Sequence, residues 1–85
     1  MQVKKLNGKS NVIGKNIKKY RELRGLSQRE LSNKIALLGV DIYHSDNSQI
    51  ENEKLLLKDF EIIAFCKVLN ISYEQIFENT DKLFD

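Results

Sequence analysis

The sequence predicts a compact all-α fold of five short helices. Apolar residues recur at helical spacing in several stretches, two capping boxes mark helix starts, and no stretch alternates as a β-strand would. A chain of 85 residues with 41% hydrophobic content is enough for one domain with one small core. The expected helices cover about residues 12–24, 28–38, 44–53, 58–69 and 73–78.

The first helix follows from Ile13, Ile17 and Tyr20, which lie at positions i, i+4 and i+7 and therefore share one face. Ser10 or Asn11 can cap its start. Its outer face is expected to carry the basic residues Lys15, Lys18, Lys19, Arg21 and Arg24.

The second helix begins with a capping box. The Ser27 side-chain oxygen is expected to accept a hydrogen bond from one backbone N–H, and the Glu30 side chain from another. Leu31, Ile35 and Leu38 then form a predicted apolar stripe. This helix is expected to be well anchored in the core.

The third helix, at about 44–53, is different because Ile42 and Ile50 are the only aliphatic anchors in a segment of polar side chains. A helix with little to bury and many polar groups to present is expected to contact a partner.

The fourth and fifth helices are separated by Asn70, a predicted helix exit, and Ser72 with Gln75 forms the second capping box. The fourth helix is predicted from apolar residues at helical spacing, namely Phe60, Ile63, Ala64 and Val68. Cys66 is expected to pack in the core.

Charge is divided unevenly along the chain. Residues 1–24 hold eight Lys or Arg against one Glu, a net charge of +7, whereas residues 25–85 have a net charge of −5. A basic end of this size indicates an anionic partner, such as nucleic acid, or a solvated tail.

The sequence is divided into a loose basic arm (1–11), a helical domain (12–78) and a short tail (79–85).

The sequence gives no support for several classes of function. A single cysteine excludes an internal disulfide and favours a reducing compartment, and no apolar run reaches the ~20 residues needed to cross a bilayer. His44 and Cys66 lack metal-site spacing, and no nucleophile–base pair or glycine-rich loop is recognised. We expect a cytoplasmic protein with no membrane association that is not an enzyme and uses no metal or cofactor.

Three blocks of the sequence carry a family resemblance. They are LSQxEL (26–31), SxIEN (48–52) and VLNIS (68–72), in this order. Together they resemble the lambda-repressor-like helix-turn-helix domain of the Cro and XRE families, over about residues 12–78. In that family the second and third helices form the helix-turn-helix, and the third helix lies in the major groove of DNA.

The resemblance implies roles for individual residues. Those expected to face base edges are Tyr43, His44, Ser45 and Gln49. Those expected to contact phosphate are Ser27, Gln28, Asn52 and Lys54. Arg21 and Glu51 match a structural ion pair between the first and third helices. From the residues alone, Gln28 can instead serve in capping, Tyr43 can cover the turn, and Arg21 and Glu51 can be separate solvated charges.

The chain departs from the family pattern at several positions. Asn47 stands where Ile or Val is preferred, which is expected to weaken the anchorage of the third helix, and Glu53 stands where glycine is usual. The connection from Ala36 to Ser45 is a few residues longer than the common form. Asp41 and Glu53 have to point away from DNA if the resemblance holds.

Two functions follow as expectations. The first is a sequence-specific transcriptional regulator, in particular a repressor, that binds double-stranded DNA as a homodimer on a two-fold site. The second is a protein-interaction module such as an antitoxin or an anti-repressor. The second is suggested by apolar residues that one small domain cannot all bury, namely Leu55, Leu56, Leu83 and Phe84.

Overall fold

The computed structural model describes residues 4–85, and helices form nearly all of the regular structure in this range. The elements are α1 (Gly14–Leu23), α2 (Gln28–Ala36), α3 (His44–Glu51), α4 (Asp59–Leu69), α5 (Tyr73–Ile76) and a final 3-10 helix (Thr80–Phe84). An isolated antiparallel bridge between Leu6 and Lys9 is the sole β-type pairing in the described residues. The predicted all-α class is confirmed for this part of the chain.

One core holds the helices together. The radius of gyration is 12.4 Å, close to the ~12 Å expected for a compact domain of this length. α1, α2, α4 and α5 each contribute side chains to its fully buried centre, which contains Ile17, Leu31, Ile35, Phe65, Leu69 and Ile76.

Both predicted capping boxes are present. The Ser27 hydroxyl oxygen accepts from the Glu30 N–H at 3.0 Å, and the Glu30 carboxylate accepts from the Ser27 N–H at 2.9 Å. Ser72 and Gln75 make the same two hydrogen bonds at 3.0 and 2.9 Å. Both α2 and α5 therefore begin where the sequence predicts.

Asn11 joins the start of α1 to the end of α3. Its Oδ1 accepts from the backbone N–H groups of Ile13 and Gly14, at 3.0 and 2.8 Å. Its Nδ2 donates to the carbonyl oxygens of Ile50 and Leu55, at 3.0 and 2.9 Å. All four hydrogen-bonding positions of this buried amide are therefore used.

Several predicted helix bounds and one apolar stripe are wrong in detail. α2 ends at Ala36, α3 at Glu51 and α5 at Ile76, each two residues before the predicted end, and α1 begins at Gly14, two residues after its predicted start. Leu38 consequently lies beyond α2 and is 48% exposed, so it does not extend the stripe of Leu31 and Ile35.

The predicted apolar face of α4 is wrong in part, because Ala64 is buried and Val68 packs partly against the core as predicted, but Phe60 and Ile63 do not. Phe60 and Ile63 are 50% and 40% exposed, whereas Phe65, Cys66 and Leu69 are buried. The physical reason is that apolar residues occur on both sides of this helix, so spacing alone does not define its inner face.

The residues before α1 are not a loose arm where the structure describes them. Leu6 and Lys9 exchange two backbone hydrogen bonds, at 3.0 and 2.9 Å, and the Ser10 N–H donates to the carbonyl oxygen of Glu53 at 2.9 Å. The first three residues of the predicted arm lie outside the described residues. At the other end, the predicted tail contains the final 3-10 helix.

None of the helices in residues 4–85 combines the length and the apolar composition that crossing a bilayer requires.

Candidate nucleic-acid interface

α3 has one face turned into the protein and one turned outward. Asn47, Ile50 and Glu51 are buried and lie at positions i, i+3 and i+4. Ser45 and Gln49 are exposed at positions i and i+4 on the other side. The helix is therefore held along one side and presents polar side chains along the other.

Asn47 anchors α3 through hydrogen bonds instead of apolar contact. It is fully buried, and its Nδ2 donates to the Gln28 carbonyl oxygen at 3.0 Å and to the Ser32 hydroxyl at 3.3 Å. These hydrogen bonds tie α3 directly to α2, and the expected weakening relative to Ile or Val stays a prediction. Its Oδ1 has no hydrogen-bond partner among the described residues.

Glu51 is the electrostatic anchor of α3. Its carboxylate, 3% exposed, accepts from Arg21 Nε at 2.6 Å and from Arg21 Nη2 at 3.0 Å. Gln28 Nε2 donates to the same carboxylate at 3.1 Å, and Arg21 Nη1 donates to the Leu26 carbonyl oxygen at 2.8 Å. The hydrogen bonds with Glu51 raise the pKa of Arg21, so the guanidinium stays charged at neutral pH. The alternative of two separate solvated charges does not describe this geometry.

Gly14 allows α1 to approach the end of α3 closely. A Cβ added at this residue would overlap with the Ile50 carbonyl oxygen and would lie 3.0 Å from the Glu51 carbonyl oxygen. The sequence reading did not single out Gly14. A glycine in the first turn of a predicted helix, where it lowers helix propensity, is the signal that could have marked it.

The four residues that the resemblance assigns to base contact are all exposed, but only Ser45 and Gln49 share the outer face of α3, since His44 lies three residues before the buried Asn47. Tyr43, immediately before α3, is 71% exposed, and His44, Ser45 and Gln49 on α3 are also exposed. The Tyr43 side chain therefore does not cover the turn as a core lid.

The residues assigned to phosphate contact lie at the start of α2 and just after the end of α3. Ser27 and Gln28 open α2, where backbone N–H groups and the helix dipole favour an anion. One N–H of the Gln28 amide is used by Glu51, and a primary amide has a second N–H donor. Asn52 and Lys54 follow α3 and are exposed.

The acidic residues of the α3 region divide into two groups. Glu51 and Glu53 are buried and paired with Arg21 and Lys9, so their charges are neutralised inside the protein. The exposed Asp41 and the half-buried Asp46 remain nearer the surface.

The basic face predicted for α1 is largely used within the protein. Lys19 pairs with Glu78 at 2.8 Å, Arg21 pairs with Glu51, and Arg24 donates to the Leu69 carbonyl oxygen at the end of α4 at 2.7 Å. Lys15 and Lys18 are exposed, and neither forms an ion pair with another described residue. The charge that α1 offers to a partner is therefore smaller than its sequence indicates.

The predicted apolar partner residues differ in exposure. Leu55 packs partly against the core and Leu83 is half-buried, whereas Leu56 and Phe84 are 57% and 77% exposed.

Within residues 4–85, no group of three His, Cys, Asp or Glu side chains is placed to hold a metal ion.

Comparison of the sequence with protein-family models and with curated proteins finds no match.

Proposed function

We propose that this protein is a sequence-specific DNA-binding transcriptional regulator, in particular a repressor, with a lambda-repressor-like helix-turn-helix formed by α2 and α3. The observation that carries the proposal is the division of α3 into an anchored inner face and an exposed polar outer face. Rigid attachment matters because a reading helix must enter the groove in a fixed register.

The outer face carries the types of group that read DNA. Gln49 can bond in a bidentate manner to adenine, and His44 and Ser45 can each donate to base edges or phosphates. The half-buried Asp46 can accept from a cytosine amino group. The phosphate contacts proposed to accompany them are at the start of α2 and at Lys54.

One such helix reads only a few base pairs. A homodimer on a two-fold site, with half-sites about one turn of DNA apart, would give the specificity that a regulator needs. Selection of bound sites from a pool of random duplexes tests this directly, and a two-fold consensus is the expected result.

Two substitutions separate base reading from phosphate contact. Gln49→Ala should weaken binding to the selected site by roughly 1–3 kcal/mol and spare non-specific binding. Lys54→Ala should weaken all sequences alike and lower the salt slope by about 1. Lys67→Ala, which removes an equal charge from an exposed position on α4, is the matched control and should change neither quantity.

A second candidate function is a protein-interaction module, such as an antitoxin or an anti-repressor. The exposed Leu56 and Phe84 side chains favour it, because they are large apolar groups that this domain leaves uncovered. Recovery of one stoichiometric protein partner, together with salt-independent or absent DNA binding, would support this alternative against the first.

A further inference from the structure

Glu53 adopts a backbone conformation that is unusual for a residue with a side chain. Its φ is +63°, in the left-handed region that favours glycine, and the residue is 6% exposed. A buried carboxylate also requires a partner. Two unfavourable features at one residue indicate that Glu53 does something that glycine would not do there.

The partner of Glu53 is the segment that precedes α1. Lys9 Nζ lies 3.2 Å from Glu53 Oε1, and the Ser10 N–H donates to the Glu53 carbonyl oxygen at 2.9 Å. Glu53 directly follows Asn52, the C-cap of α3. The N-terminal segment is therefore fastened beside the end of the proposed reading helix.

That segment is itself ordered by a tight turn. Asn7 and Gly8 have φ of +52° and +78°, the signs that a two-residue type I′ turn requires, and Leu6 and Lys9 are paired on either side. Asn7 Nδ2 also donates to the Leu83 carbonyl oxygen at 3.3 Å. This turn therefore orders the residues directly before Ser10, the residue that is bonded to the end of α3.

We propose that Glu53 is a positioning residue that holds this turn beside α3, so that Lys4 and Lys5 bind DNA phosphates next to the contact made by Lys54. The inference rests on the proposed function. Both lysines are exposed, and Lys9 is occupied by Glu53. A fastened pair of lysines binds more tightly than a free pair, because the entropy of ordering the segment is already lost in the free protein.

The test measures whether the lysines depend on the Lys9–Glu53 pair. Lys4→Gln/Lys5→Gln is made in the wild-type chain and in a Lys9→Gln/Glu53→Gln background, in which the ion pair is lost and net charge is unchanged. Binding to a short duplex of mixed sequence is measured by fluorescence anisotropy at about 50 mM salt. We expect a loss of about tenfold in the wild-type chain, the size of two phosphate contacts, and of about threefold or less in the other background.

A second background controls for misfolding of the first one. In Lys9→Gln/Glu53→Gly the net charge is again unchanged, and glycine adopts the left-handed conformation without strain. Both backgrounds should keep the helical circular dichroism of the wild type, while the Ser10 amide exchanges with solvent faster.

The outcomes separate the two proposals. An equal loss in all backgrounds, or no loss in the wild-type chain, would overturn the role of Glu53 and leave the regulator proposal standing. A wild-type chain that binds neither this duplex nor any selected site would overturn the regulator proposal itself.

Discussion

Glu51→Ala tests the buried charge network that joins three helices. The substitution removes the acceptor of two Arg21 hydrogen bonds and one Gln28 hydrogen bond and leaves a guanidinium whose side chain is 12% exposed without its partner. Removing one member of a buried ion pair typically lowers the free energy of unfolding by about 3–5 kcal/mol. A domain of this length has about 4–13 kcal/mol in total. We therefore expect the melting temperature to fall by about 12 °C or more.

The assays are urea unfolding, for the free energy, and thermal melting, both followed by far-UV circular dichroism, since the chain is helical and contains no tryptophan. Glu22→Ala is the matched control, because Glu22 is exposed on the same helix as Arg21 and its loss should change stability by no more than about 0.5 kcal/mol.

The double variant Arg21→Met/Glu51→Leu separates burial of an unpaired charge from loss of packing. With both charges removed, stability should recover most of the way to the wild-type value. A loss below about 1 kcal/mol for Glu51→Ala would refute the reasoning, because exposed ion pairs contribute no more than that. A double variant as unstable as the sum of the two single variants would also refute it.

Three further predictions address other parts of the fold. Gly14→Ala should destabilise the protein by about 1–3 kcal/mol or more in urea unfolding, although alanine favours helices, because the new methyl group meets backbone carbonyl oxygens that cannot move independently. Hydrogen bonds from Lys19 and Tyr20 lower the pKa of Glu78 in the folded protein. The stabilising effect of this carboxylate is therefore complete above the unfolded pKa of about 4.5 and is lost as pH falls through the lower folded pKa. The wild type should consequently lose more stability than Glu78→Gln between neutral pH and about pH 3. Burial raises the pKa of the Cys66 thiol, so a thiol reagent at neutral pH should modify it at the rate of protein opening, and rapid labelling of the folded protein would contradict its burial.

Local signals allowed the sequence to predict most of the fold. The capping boxes at Ser27 and Ser72 lie within four residues of chain, so their hydrogen bonds depend on little else. Asn70 ends α4 at a φ of +54°, as a helix exit requires. The third helix was also recognisable from a local signal, namely its scarcity of apolar residues.

The candidate site was only partly predictable. The polar composition of residues 44–53 indicates an outward helix, and the family resemblance proposes contacts that the binding experiments will test. The hydrogen bonds that Asn47 makes inside the protein could not be predicted, because a polar residue at an inward position has no apolar signature. Whether these hydrogen bonds form depends on where the Gln28 carbonyl oxygen and the Ser32 hydroxyl lie in space.

The sequence by itself determined that this chain forms short helices, where α2, α3 and α5 begin, and that one helix has little to bury. Only the tertiary structure decided that α4 turns Phe60 outward, that Arg24 caps α4, and that Lys9 pairs with Glu53. The physical reason is distance along the chain. Helix propensity and capping act over three or four residues, whereas a buried pair depends on how whole helices are oriented, and that orientation follows from the packing of the entire core.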